Sequence, residues 1–203
     1  MLEHYAPKPA GASWAEVAGW PVAVETAVRS LNLLGLTSGQ TILVNGAAGG
    51  VGGAAVQVAR ARGARVIGTA GERNHEYLRT LGAEPTTYGA GLVGRVRELA
   101  PDGVDLALDA AGAGALPDLI EITGSPDNVV TIADFSAAEH GVRLSGGGGA
   151  ARAWDALAQA AELYEAGSLT IPVAQTFSLE EARDAHRMSE GGHVRGKLVL
   201  TLS

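Results

Sequence analysis

A chain of 203 residues, 46% hydrophobic and 18% charged, is long enough for one well-buried domain and too apolar for disorder. Its net charge of −7, with no Lys/Arg block to override it, argues against general nucleic-acid binding. No cysteine is present for a disulfide or thiolate metal site, the first twenty residues lack a secretory pattern, and no apolar run reaches the roughly 18 residues of a membrane span, so a cytoplasmic protein is expected.

In chain order, Glu16 to Leu34 is an apolar helical stripe interrupted by Pro21. Thr41 to Asn45 reads as a strand and Gly50 to Arg62 as a helix, whose small Ala54, Ala55 and Ala59 suit close approach to a sheet. Ala64 to Ala70 is a second strand, followed by a helix over His75 to Leu81 that Gly82 stops. Glu84 to Tyr88 is a weak third strand containing a proline, Leu92 to Ala100 a helix, Val104 to Asp109 a fourth strand and Asn128 to Ala133 a fifth. Val142 to Ser145 reads as a sixth, before the glycine run Gly146 to Gly149 and a helix from Ala150 to Ala166. The chain closes with a strand over Ile171 to Phe177, a helix opened by Ser178 with Glu181 as its capping-box partner, and a strand from Lys197 to Leu202. Strands that are nearly continuous apolar runs, alternating with helices, predict an α/β fold with a doubly wound parallel sheet.

Between the first strand and its helix stands GAAGGVGG, five glycines with two alanines and a valine from Gly46 to Gly53. A helix N-terminus presents unpaired N–H groups and a partial positive charge, which together bind phosphate. A side chain in that turn would hold a pyrophosphate away from the backbone, so the turn must be nearly bare. Tight strand-helix packing also selects small residues, but the strand before, the helix after and the second strand downstream favour a dinucleotide site.

The end of the second strand selects the dinucleotide, because an acidic side chain there accepts the ribose hydroxyls of NAD and a 2′-phosphate needs a cation instead. Here the strand ends Gly68-Thr69-Ala70-Gly71, and Arg73 with Asn74 follow as a clasp for the phosphate of NADPH. Glu72, 20 residues after Gly52, is the rival and would favour NADH.

Several segments together resemble a known family: GAAGGVG at Gly46 to Gly52, VIGTAGERN at Val66 to Asn74, LRTLGAE at Leu78 to Glu84, VDLALDAAG at Val104 to Gly112 and GHVRGKLVLTL at Gly192 to Leu202. They are similar to the zinc-independent quinone oxidoreductase branch of the medium-chain dehydrogenase/reductases, and the likeness covers essentially the whole chain, beginning with APKPAGASWAEVAGWPVAVETAVRSL at Ala6 to Leu31. The resemblance implies a Rossmann domain binding NADPH, with Gly46, Ala47, Gly49, Gly50, Val51 and Gly52 around the pyrophosphate and Gly71, Arg73 and Asn74 at the 2′-phosphate. It places Ala111 and Gly112, and Ala133 with Phe135, toward the ribose and nicotinamide. It divides the chain into a leading segment (1–30), the Rossmann domain (31–170) and a segment (171–203) that completes a catalytic domain. Members carry a GroES-like catalytic domain ahead of the APKP segment, which this sequence lacks, so no catalytic residue is assigned and low activity is expected of the chain alone. A quinone or enone substrate, a separate GroES-like partner domain and a homodimer paired through the sixth strand are further implications. The other reading is a stand-alone Rossmann protein that uses an open cleft for binding or a non-redox reaction.

Other motifs fail. GGHVRGKL at Gly191 to Leu198 mimics a P-loop, but Leu198 replaces the metal-binding hydroxyl and a strand follows. The histidines His4, His75, His140, His186 and His193 show no metal-ligand spacing and read as surface residues. Thr26 lies in a segment that approaches the cofactor cleft in relatives, with a helix-interior threonine as the simpler reading.

Overall fold

Each apolar strand run puts alternate residues on opposite sheet faces, so a strand buried on both sides needs a helical layer on each. The computed structural model, which describes residues 5–147, 152–192 and 194–202, has this architecture. Strands β1 (Thr41–Asn45), β2 (Arg65–Thr69), β3 (Glu84–Thr86), β4 (Leu106–Asp109), β5 (Val129–Thr131) and β6 (Arg143–Leu144) form one sheet, ordered β3-β2-β1-β4-β5-β6. Every neighbouring pair is parallel. This is a Rossmann-like α/β fold, and its strand order reverses between β1 and β4.

Ile42, Val44, Val66, Leu106, Leu108 and Val130 pack on one side, with helices α2 (Trp20–Leu34), α3 (Gly50–Ala61) and α7 (Ala156–Glu165). Leu43, Ile67, Ala107 and Val129 pack on the other, with α5 (Leu92–Leu99) and α6 (Leu116–Thr123). Each fully buried aliphatic side chain contributes about 1.5–3 kcal/mol. Short α1 (Trp14–Ala18) precedes α2, and α4 (His75–Thr80) stands between β2 and β3 in the chain with its Leu78 wholly buried in the first core. A separate parallel pair, β7 (Val173–Ser178) and β8 (Lys197–Thr201), holds α8 (Ala182–Glu190) between its strands in the chain. Gln57 anchors this region to α3 through Thr170, accepting from its N–H at 2.7 Å and donating to its carbonyl at 2.8 Å.

Two prolines read differently in three dimensions. Pro21 does not interrupt one long helix: α1 ends at Ala18 with Gly19 as its cap, and Pro21 sits in the first turn of α2, where a missing N–H costs nothing. Pro117 likewise opens α6, a helix the sequence reading passed over. Thr26 lies within α2, where its hydroxyl is 3.3 Å from the guanidinium of buried Arg29. Arg29 also donates to Glu25 at 2.9 Å and to Ser145, and Ser30 bonds Ser145 at 2.9 Å, so α2 is pinned to the end of β6.

The predicted third strand stops at Thr86 and the sixth is only Arg143–Leu144. The helix expected from Ala150 begins at Ala156; Ala150 and Ala151, with Gly148 and Gly149 of the glycine run, lie outside the described residues. The Ser178–Glu181 capping box is present, but it opens one 3-10 turn (Leu179–Glu181) that leads into α8. His140 and His186 are exposed, whereas His75 is half-buried with a ring nitrogen 3.2 Å from the Ala70 carbonyl. His4 and His193 lie outside the described residues.

Candidate functional site

In an open parallel sheet, ligands sit beyond the carboxyl ends of the strands where the order reverses. A cavity of about 830 Å³ opens there. The turn from β1 to α3 forms its floor. Gly46 has φ +79°, a left-handed conformation, and a Cβ on it would stand 2.8 Å from the Cβ of Ala111. A Cβ on Gly52 would stand 2.9 Å from the Ala47 Cα and nearer still to the Gly46 carbonyl oxygen. Both glycines are therefore required by close approach. No side chain caps the N-terminus of α3, whose N-cap residue Gly49 lines the cavity, so its first N–H groups have no side-chain acceptor.

One register row at the strand ends supports this turn. Thr86 aligns with Thr69, Asn45 with Asp109, and Asp109 with Thr131, and all five side chains are buried although the strands before them are largely apolar. Thr69 donates to Asn45 Oδ1 at 2.6 Å and accepts from the Gly46 N–H at 3.0 Å. Asn45 donates to Asp109 Oδ1 at 2.9 Å, and Thr131 donates to Asp109 Oδ2 at 2.7 Å. The Ala111 and Gly112 N–H groups donate to Asp109 Oδ1 at 3.1 and 2.9 Å. The Thr131 hydroxyl in turn accepts from Ala133 and Asp134 N–H groups at 3.1 and 3.0 Å. Every partner of Asp109 donates, which matches an acceptor-only carboxylate. This belt fixes three cavity loops relative to one another.

Of the residues singled out from sequence, Gly46, Gly49, Gly71, Arg73, Asn74 and Ala111 line the cavity together. Ala47 is wholly buried beneath it, its N–H bound to the Thr69 carbonyl at 3.0 Å. Gly50 and Val51 form the half-buried start of α3, and Gly52 is buried against the turn. Gly112 is buried against Ala133, while Phe135 projects into solvent at 86% exposure. Sequence reasoning missed Asn45, Thr69, Tyr88, Leu92, Asp118 and Val194, which also line the cavity. The polar row had a visible signal: apolar strands that each end in Asn, Thr or Asp. Val194 had none, because it comes from the far end of the chain.

Charge collects at the β2 end of the cavity, where Glu72 and Arg73 are both exposed lining residues. Arg195 approaches from the segment before β8, donating through Nε and Nη2 to Asn74 Oδ1 at 3.2 and 2.9 Å. Its guanidinium lies 4.9 Å from the centroid of the Tyr77 ring. Burial pushes the Tyr77 phenol above its ordinary pKa, and the Arg195 charge acts against that rise.

A family model described as zinc-binding dehydrogenase matches residues 81–200, more than half of the chain. The chain belongs to this family, within the medium-chain dehydrogenase/reductases, a family of nicotinamide-dinucleotide-binding oxidoreductases. It is 35% identical to the pikromycin polyketide synthase component PikAII of Streptomyces venezuelae, over 96% of this chain and 6% of that protein. It is 31% identical to 2-methylene-furan-3-one reductase of Solanum lycopersicum, over 95% of this chain and 48% of the reductase. The quinone oxidoreductase of Coxiella burnetii superposes with a TM-score of 0.79 at 29% identity, covering 98% of this chain and 64% of that one. The chain thus spans at most about half the length of these two curated relatives.

The residues suit a dinucleotide, because Gly46 and Gly49 of the turn line the cavity without a side chain and the N-terminus of α3 carries no side-chain cap. The sequence has no cysteine, and no group of three or more His, Asp or Glu able to hold a metal occurs among the described residues. No helix among them is long and apolar enough to cross a membrane.

Proposed function

We propose that this chain is the NADPH-binding part of a zinc-free reductase acting on quinones, enones or similar conjugated carbonyls. The observation that carries the reading is the bare β1–α3 turn, held by the Thr69–Asn45–Asp109 belt at the floor of a cavity whose rim carries Arg73. In this reading Gly46, Ala47, Gly49, Gly50, Val51 and Gly52 surround the pyrophosphate, and the α3 N-terminus supplies donors and positive potential. Gly71, Arg73 and Asn74 flank the 2′-phosphate, and Ala111, Gly112, Ala133 and Phe135 belong to the loops toward the nicotinamide. Bound NADPH supplies the hydride; the chain's own residues bind and orient it. The enone substrate class draws support from the tomato reductase and the quinone class from the Coxiella protein.

The substrate wall is assigned to a GroES-like domain, with residues 171–203 completing it and 31–170 forming the cofactor domain. Self-association through β6, an exposed edge with Leu144 43% accessible, gives a homodimer. The cytoplasm is the compartment this reading implies.

Hydride transfer requires the acceptor carbon about 3–3.5 Å from the nicotinamide in a water-poor cleft. The test is NADPH oxidation with a simple quinone or cyclic enone, by the chain alone and with a complementary GroES-like domain. The expected result is slow or no turnover alone and restored turnover with the domain. Brisk oxidation by the chain alone, at the roughly 1–10³ per second of ordinary enzymes, overturns the assignment of the substrate wall. NADPH binding with no reduction in either case favours the stand-alone binding protein.

A further inference from the structure

Arg195 is separated from Asn74 by 121 positions, yet two of its N–H groups close on one acceptor, the Asn74 Oδ1. The remaining guanidinium donors have no partner among the described residues, and Arg195 is solvent-exposed. Three features hold the arm in place. The Tyr77 ring lies beneath the guanidinium at 4.9 Å. Gly196 forms a parallel bridge with Gly49 of the bare turn. Gly196 itself, at φ +81°, is pressed so closely on the Pro172 carbonyl that only glycine fits. The neighbouring Val194 lines the cavity.

We infer that Arg195 is a specificity-determining residue for NADPH, a prearranged cation that reads the adenosine 2′-phosphate from the C-terminal segment. The inference rests on the NADPH reading above. An arginine near the end of the second strand is what a 2′-phosphate requires in this fold. A guanidinium held by one acceptor and one aromatic face loses less freedom on binding than an unrestrained one, and its planar fork suits a phosphate. Arg73, the cation found from sequence, is exposed and has no hydrogen-bond partner among the described residues. Asn74 takes a further part beside the 2′-phosphate: its side-chain carbonyl oxygen orients Arg195.

Calorimetric titration of the chain and its R195Q and R195K variants with NADPH, NADH and 2′,5′-ADP tests this. R195Q is expected to weaken NADPH and 2′,5′-ADP by about 10–100-fold, the scale of a charge-assisted hydrogen bond, while NADH binding stays as in the unsubstituted chain. R195K keeps the charge without the fork and is expected to fall between. Far-UV circular dichroism checks each fold, and R195K carries the test should R195Q not fold. NADPH binding that survives both substitutions, or that falls in parallel with NADH, overturns this inference alone. Failure of the unsubstituted folded chain to bind NADPH or 2′,5′-ADP overturns the NADPH reading with it.

Discussion

Two adjacent glycines at the start of α3 are expected to respond to alanine in opposite directions. A Cβ at position 52 would lie 2.9 Å from both the Ala47 Cα and the Gly46 carbonyl carbon, with the Gly46 oxygen closer still. The turn cannot retreat. Its Gly46 N–H is tied to Thr69 at 3.0 Å, and its other side is backed by Ala111. Overpacking costs about 1–3 kcal/mol, with a trapped backbone at the upper end, and the helix-propensity gain of alanine over glycine returns about 1 kcal/mol. G52A should therefore lose about 2 kcal/mol net. At position 53 the Cβ would meet the Ala47 carbonyl and the Tyr77 hydroxyl at 3.5 Å and a Leu81 methyl at 3.7 Å, all ordinary contacts. G53A should therefore gain up to about 1 kcal/mol. At about 2–4 °C per kcal/mol for a domain of this size, the two variants should melt roughly 6–12 °C apart. Thermal unfolding followed by circular dichroism reads this directly. A G52A protein as stable as the parent, or a G53A protein destabilised to the same degree, would refute the close-approach argument.

Three further expectations follow from the same contacts. Asp109→Asn replaces an acceptor at the centre of the buried belt by a donor facing a Thr131 hydroxyl already engaged, and should cost about 1–3 kcal/mol in urea unfolding; an unchanged midpoint would show that the belt is not cooperative. The Arg65 guanidinium, donating at 2.7 and 2.8 Å, holds the Glu84 carboxyl below the usual carboxylate range. Because the folded pKa is depressed, this stability is present above the unfolded value of about 4.3 and is lost as pH falls through the folded one, so E84Q should flatten the acid limb of a stability–pH curve. The partly exposed pair limits the effect to about 1 kcal/mol or less, and an identical acid limb in E84Q contradicts the assignment. Arg73→Ala should weaken NADPH more than NADH by about 1.5–3 kcal/mol in a fluorescence titration; equal losses make Arg73 structural, and tighter NADH binding by the parent hands the role to Glu72.

The parallel sheet was legible because β1, β4 and β5 are short apolar runs that only a doubly covered sheet can bury, and the bare turn between β1 and α3 is a local signal. Helix starts marked by proline were less legible. In LPDLIEIT the proline of α6 occupies a first-turn position, as does Pro21 in α2, and periodicity alone does not separate such a start from a stop. Strand ends were overrun where pairing stops short of residues that still suit a strand, as at Thr86 before Thr87 and Tyr88 and at Leu144 before Ser145. Local sequence marks a turn and the strand that precedes it. It does not mark a contact such as Arg195 on Asn74, which depends on where the chain returns after a hundred residues, nor the joining of Thr69, Asn45, Asp109 and Thr131 into one row, which depends on register.

The claim on which the account stands is that the bare turn of this chain holds a phosphorylated nicotinamide dinucleotide, and a titration of the purified chain with NADPH and NADH, followed by nicotinamide fluorescence, tests it most directly. Saturable binding of NADPH, tighter than NADH and lost in G52A protein that remains folded, is the result the geometry predicts. No saturable binding of either cofactor at millimolar concentration, by a chain that circular dichroism shows to be folded, would contradict it.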